Sequence, residues 1–286
     1  MLREIRELGF EHAELSHGIR LSLVPGIIEA VDAGEMKISS LHNFCPLPIG
    51  VMQASPNLYE FSAENELDRN LAIKHTLKTL EFATRVKAPL VVLHLGSIEM
   101  KDYTGKLDGL LERDKKITPK FEKVRAEALK VCEAKKEKFF TRMKETLRQI
   151  LPEAEKRGLK LGCENRQALE ELPLDGDYEN FLKEFPSPSV FYWHDVGHAQ
   201  IKENFGIVQH AKFLETLSPR LAGFHIHDVI FPARDHAAPG TGIIDYAALK
   251  PFVKPEHIKV FEFSPSLPAL HAQQGIAHVK KIWGEE

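Results

Sequence analysis

A parallel α/β barrel is the fold this sequence predicts, and three observations carry it. Strand-like apolar runs alternate with helical patterns along the chain, the signature of a parallel sheet covered by helices. Seven such runs are present: FEHAEL, KISSLHNF, APLVVLHLG, LKLGCEN, SVFYWHDVGH, LAGFHIHD and IKVFEFSP. The last four each end in a residue able to bind a metal: Glu164, Asp195 with His198, His225, and Glu262. In a parallel barrel such side chains converge at the C-terminal ends of the strands, where active sites are built.

Taken in order, Leu2, Ile5 and Leu8 recur at helical spacing before Gly9, a helix stop. The first two strand candidates follow, then a polar stretch from Cys45 to Asn57. The pattern from Leu67 to Val86 predicts an amphipathic helix leading into the third strand, APLVVLHLG. Residues 97 to 118 read as a long polar connection. Residues 119 to 157, rich in Ala, Glu, Lys and Leu, read as one solvated helix, longer than most globular helices. A complete (β/α)8 barrel has eight strands. The chain opens in what reads as the first helix, so the first strand is expected to be missing and the wall gapped on that side. No linker divides the sequence. The expectation is a single TIM-barrel domain over 1–286, with a loop-helix excursion at about 97–157.

Bulk properties exclude several function classes. A net charge of −3 gives no global attraction to nucleic acid or anionic membrane. No apolar run approaches the roughly 20 residues of a membrane span, and the charged N-terminus is not a signal peptide. Cys45, Cys132 and Cys163 lack CxxC spacing and read as reduced thiols of a cytoplasmic protein. The long charged helix and the exposed barrel wall hint at a homodimer.

The chemistry is concentrated at strand ends. Glu164 and Glu262 follow apolar strand residues, where a lone charge is costly to bury. A metal ion answers that cost; a salt bridge to Arg166 or a lysine is the structural alternative. Asp195 and His198 form D-x-x-H, which reads equally as part of a metal site or as a helix N-cap with His198 on the first turn. His225 and His227 share one face of a strand. His225 is the better ligand, with His227 or Asp228 behind it. His194 is expected to point away from Asp195. His42 and His94 also end strands, and each is open between substrate contact, a second metal and packing. Gly96 leaves room for a ligand near the backbone. In RDHAAPGTGIIDY, Arg234, Asp235 and His236 suit an anionic or polyhydroxyl substrate. Gly240 and Gly242 make a tight turn, and Asp245 is expected to cap the next helix.

In their order, GFEHAEL, CEN, D-x-x-H, H-x-H-D, the H-x-x-x-G-x-G-x-x-D loop and FEF resemble the xylose isomerase-like TIM-barrel superfamily. That group includes sugar isomerases, ketose 3-epimerases, inosose dehydratase and endonuclease IV. The resemblance implies that Glu164, Asp195, His225 and Glu262 hold one divalent ion, Mn, Co, Mg or Zn. It makes Glu164 and Glu262 the acid/base pair of a sugar or sugar phosphate isomerase or epimerase working through an enediolate. His42, His94, Arg166, His198, His227, Arg234 and His236 are then the substrate-binding candidates, and the partner is a small carbohydrate. Glu170 falls where ketose epimerases carry a further substrate-contacting glutamate. Phe231 stands where those enzymes carry an arginine. A rival is an endonuclease IV-like zinc phosphodiesterase, which uses histidines matching His42, His94, His198, His225 and His236. Against it, Arg234 occupies the position of an aspartate ligand. A third reading is a non-catalytic sugar- or metal-binding barrel.

Overall fold

Seven parallel strands form where the seven apolar runs lie. In this computed structural model, which describes residues 1–284, they are β1 (His12–Leu15), β2 (Lys37–His42), β3 (Leu90–Leu93), β4 (Lys160–Glu164), β5 (Val190–Asp195), β6 (Leu221–Ile226) and β9 (Ile258–Phe261), hydrogen-bonded in chain order. A separate antiparallel ribbon, β7 (Asp228–Ile230) with β8 (Arg234–Ala237), sits in sequence between β6 and β9. The sequence pattern did not announce it, because each arm is too short for a period-2 signal. The helices are α1 (Leu2–Glu7), α2 (Val24–Asp32), α3 (Glu66–Arg85), α4 (Tyr103–Asp114), α5 (Pro119–Arg157), α6 (Tyr178–Glu184), α7 (Val196–Asn204), α8 (His210–Leu217), α9 (Tyr246–Leu249) and α10 (Ala269–Trp283). Among the described residues, no helix is long and apolar enough to cross a membrane.

Local chemistry sets the helix starts. Asn65 caps α3, its side chain accepting the Leu67 N–H at 2.9 Å. Asp245 caps α9 through the Ala248 N–H, as its position predicts. Thr118 accepts from Phe121 N–H, and Pro119 opens α5 at the position where a missing N–H costs nothing. The helix over 119–157 is therefore the single long one expected. The stretch before it is not a polar loop. Residues 103–114 form α4, which buries Tyr103, Leu107, Leu110 and Leu111 on one face. Two glycines weaken its intrinsic propensity and hide it in the sequence; tertiary burial overrides that weakness.

The fold divides into two interleaved units. One comprises residues 1–97, 137–164 and 185–191. Its strands β1 to β4 pair in parallel, and Leu15, Ile38, Leu41, Leu90, Leu93 and Leu161 are buried. The other comprises residues 98–136, 165–184 and 192–286. It is built on β5, β6 and β9 around Trp193, Phe224, Ile226, Leu217 and Phe205. All three cysteines are buried, and none is joined in a disulfide among the described residues. Burial raises the Cys45 thiol, with Glu14 adding to it, and burial with nearby Glu170 raises Cys132 to about 11, so both stay protonated thiols.

Candidate metal centre

In the first unit, strand register brings three donors together. Leu93 pairs with Cys163, so the next residues, His94 and Glu164, leave the sheet side by side. His94 Nε2 lies 2.7 Å from Glu164 Oε2, and His42 Nε2 lies 3.6 Å from the same oxygen. All three side chains are buried, and their donor atoms lie within 4.8 Å of one another. The far nitrogen of each ring is tied down. His42 Nδ1–H donates to the Asn43 carbonyl at 3.0 Å, and His94 Nδ1–H to the Asn57 amide oxygen at 2.8 Å. Each ring therefore turns its Nε2 toward the carboxylate. Two imidazole nitrogens and a carboxylate oxygen converging in a buried place fit a divalent cation, in the way orienting partners prepare metal-binding histidines.

Gly96, three residues further into this region than Leu93, does not leave room for a ligand. Its φ is +115°, and a Cβ there would sit 2.3 Å from Ser62 Oγ. The space is taken by the 57–62 segment, which Ser62 and Glu60 fasten to Ser97.

In the second unit, the register pairs Asp195 with His225. The β6–β9 ladder is extended by the Glu262 N–H, which donates to the Ile226 carbonyl. As a result His225 Nδ1 lies 3.2 Å from Glu262 Oε2 and 3.9 Å from Asp195 Oδ2. His225 and Asp195 are fully buried, while Glu262 is 34% exposed. Asp195 is the N-cap that its motif allows. Oδ1 accepts the His198 N–H at 2.7 Å as the N-cap of α7, and the carboxylate still faces His225.

Two further histidines orient this group. His227 Nε2 lies 3.1 and 3.2 Å from the two Asp195 oxygens, and its Nδ1 accepts the His236 N–H at 2.9 Å. His227 is fully buried and spends both nitrogens on the protein. It passes so close to α7 that a Cβ on Gly197 would meet its Cε1 at 2.0 Å, which is why D-V-G-H carries a glycine. His198 donates Nδ1–H to the Asn165 carbonyl at 3.0 Å, so its Nε2 carries the lone pair. Arg166 lies beside it and pairs with Glu171 at 3.1 Å.

The remaining candidates divide. His236 stands on β8 with a left-handed φ of 54°, its ring 4.3 Å from that of His227. Arg234, on the same ribbon, is exposed. Asp228 anchors the loop that follows: its carboxylate accepts N–H groups from Val229, Gly240, Gly242 and Ile244. Glu170 is engaged elsewhere. It accepts the Tyr103 and Thr104 N–H groups and the Thr104 hydroxyl, capping α4, so the likeness to a substrate-contacting glutamate does not carry over. His194 turns away from Asp195, as strand alternation predicts, toward Tyr192 and His210. Burial holds His194 well below the ordinary imidazole range and His210 down to about 4. A groove lined by Leu129, Cys132, Leu169, Leu174, Ile207 and Phe213 includes none of the proposed ligands.

A model of the xylose isomerase-like TIM barrel family matches residues 2–282. The chain belongs to that family. No curated protein matches its sequence significantly. Among solved structures, similar folds include a D-tagatose 3-epimerase-like protein, with a TM-score of 0.71 at 18% identity, covering 99% of this chain and 91% of that one. The 3-keto-D-glucoside 4-epimerase YcjR from E. coli, in apo form, aligns at TM-score 0.67 and 16% identity, covering 98% and 92%. IolI with a bound zinc atom aligns at 0.62 and 17%, covering 98% and 91%. At these identities the likeness is one of fold.

Proposed function

We propose that this xylose isomerase-like chain is a divalent-metal-dependent isomerase or epimerase of a sugar or sugar phosphate. The observation that carries the reading is the group at the ends of β5, β6 and β9, where His225 Nδ1 faces the carboxylates of Asp195 and Glu262. Glu164, buried and faced by two histidine nitrogens, is the fourth ligand of the proposed ion. A Mn, Co, Mg or Zn ion in such a carboxylate and imidazole set polarises a carbonyl and its neighbouring hydroxyl.

The protein's own groups then divide the work. Glu164 and Glu262 act as acid and base on the carbon-bound proton. Return of the proton to the neighbouring carbon gives an isomer, and return to the opposite face gives an epimer. Glu262, one-third exposed, is the carboxylate that exchanges its proton with water. His198 Nε2, kept basic by Asn165, accepts from a substrate hydroxyl. Arg166 and the ribbon residues Arg234 and His236 meet the distal end of the sugar, with His42 and His94 completing the polar wall; His227, buried with both ring nitrogens bonded to the protein, supports Asp195 instead of touching substrate. Support for a carbohydrate comes from the relatives, whose names are those of sugar-converting enzymes.

The test is metal content per chain, by elemental analysis of protein purified without chelator, followed by a panel of ketoses, sugar phosphates and inososes. About one ion per chain with chelator-sensitive turnover is expected. A chain that takes up no metal after reloading is not this enzyme.

A second reading has its own observation. The His42, His94 and Glu164 group is a complete three-donor set by itself, which suits a polynuclear zinc phosphodiesterase. Arg234, a cation at an expected ligand position, counts against it. Chelator-sensitive incision of abasic-site DNA at catalytic enzyme concentrations, with two or three zincs per chain, would establish it.

A further inference from the structure

We infer that Asn165 is a positioning residue for Asp195 and His198, held in turn by a buried file of Tyr192, His194 and His210. The inference rests on the metal-site reading above. Asn165 is 1% exposed, and its polar groups are spent on the β5–α7 junction. Its Oδ1 accepts the Asp195 N–H at 2.7 Å, and its Nδ2 donates to the Asp195 carbonyl at 3.0 Å. The side-chain amide thus takes both backbone groups of Asp195, as a neighbouring strand would, at the point where the ladder ends. Its backbone N–H reaches the Trp193 carbonyl at 3.3 Å. Its backbone carbonyl accepts His198 Nδ1–H at 3.0 Å and so fixes which ring nitrogen carries the lone pair. One residue therefore sets the origin of the Asp195 carboxylate and the tautomer of His198.

Only a primary amide of this length meets the demand. Aspartate keeps the acceptor but turns an oxygen toward the Asp195 carbonyl. Glutamine is one methylene too long, and alanine removes both side-chain hydrogen bonds to the Asp195 backbone.

The file behind Asn165 explains its fixed orientation. The Tyr192 hydroxyl donates to Oδ1 at 3.1 Å, so its oxygen accepts from His194 Nδ1 at 2.7 Å. His194 Nε2 in turn meets His210 Nε2 at 3.0 Å. All three side chains are buried, and none belongs to the proposed ligand set.

The experiment titrates metal-free wild type, Asn165→Ala, Asn165→Asp, Tyr192→Phe and Thr146→Val with zinc by calorimetry. Histidine 15N spectra report the His198 tautomer in each. Thr146→Val is the control: it removes a buried hydrogen bond to the Phe61 carbonyl in the other unit. Asn165→Ala is expected to weaken zinc binding about tenfold or more, as for other groups that orient metal ligands, while the His198 tautomer, held by a backbone carbonyl that the variant keeps, stays as in wild type. Asn165→Asp follows it, Tyr192→Phe shows a smaller loss in the same direction, and Thr146→Val shows none. Wild-type zinc affinity in Asn165→Ala would overturn the inference. If that variant does not fold, the same result in Asn165→Asp and Tyr192→Phe overturns it. If wild type binds no zinc, the metal-site reading falls, while the Asp195 amide 15N–1H resonance, displaced in Asn165→Ala but not in Thr146→Val, still decides whether the Asn165 side chain positions Asp195.

Discussion

The two units solve one problem, a buried carboxylate at a strand end, in opposite ways. In the first, histidines serve an acid: His42 and His94, each tied at Nδ1 by a carbonyl oxygen, turn their Nε2 atoms onto Glu164. In the second, acids serve a histidine: Asp195 and Glu262 face His225, and Asp195 is fixed by Asn165, by His227 and by the first turn of α7. The exposures differ with the design. Glu164 is 1% exposed and Glu262 34%. A carboxylate sealed among imidazoles keeps its proton inventory within the protein, whereas one open to water renews it. The lesson is that two glutamates of matching sequence context acquire different chemical lives from their neighbours.

The largest effect expected is on turnover. Glu164→Gln and Glu262→Gln keep shape and hydrogen bonding but remove the proton carrier, and each should cost about 10²–10⁴-fold in kcat. Equal rates in either variant and wild type would break the assignment of that glutamate. Next comes metal binding, which sharpens the contrast between the clusters. His225→Ala should lower affinity for the first ion by more than the roughly 10–100-fold typical of an outer partner. His42→Ala should leave one ion per chain. A reversal, with His42→Ala abolishing the first ion, would move the principal site into the first unit.

Smaller effects fall on stability. In Gly197→Ala the new methyl meets the His227 ring, and the overpacking should lower unfolding free energy by about 1–3 kcal/mol in a denaturant titration. The least dramatic test is acid sensitivity. His210 is held at about 4 in the fold, against an ordinary 6.5. The unfolded chain therefore binds more protons than the native one between those values, and stability falls as pH drops from 6.5 toward 4. A melting-temperature series over that range should flatten in His210→Gln. An unaltered slope would show that other groups carry the acid dependence.

Much of this protein is written in its sequence. The alternation of strand and helix patterns determined the seven parallel strands, because a period-2 apolar run can be buried only in a sheet and its helices only against it. Glu164, Asp195, His225 and Glu262 stood out as candidates because charged and imidazole groups at the ends of apolar strands are costly to bury without partners. The cap at Asp245 was equally local. What the tertiary structure decided is everything that depends on partners distant in the chain. Glu170 looked like a substrate contact and caps α4. Gly96 looked like a ligand berth and makes way for Ser62. Asn165, silent in the sequence beyond standing next to a glutamate, holds both backbone groups of Asp195. The physical reason is that a strand pattern specifies which face a side chain takes, whereas a hydrogen bond is specified to a few tenths of an ångström, and only the packed chain supplies that coordinate.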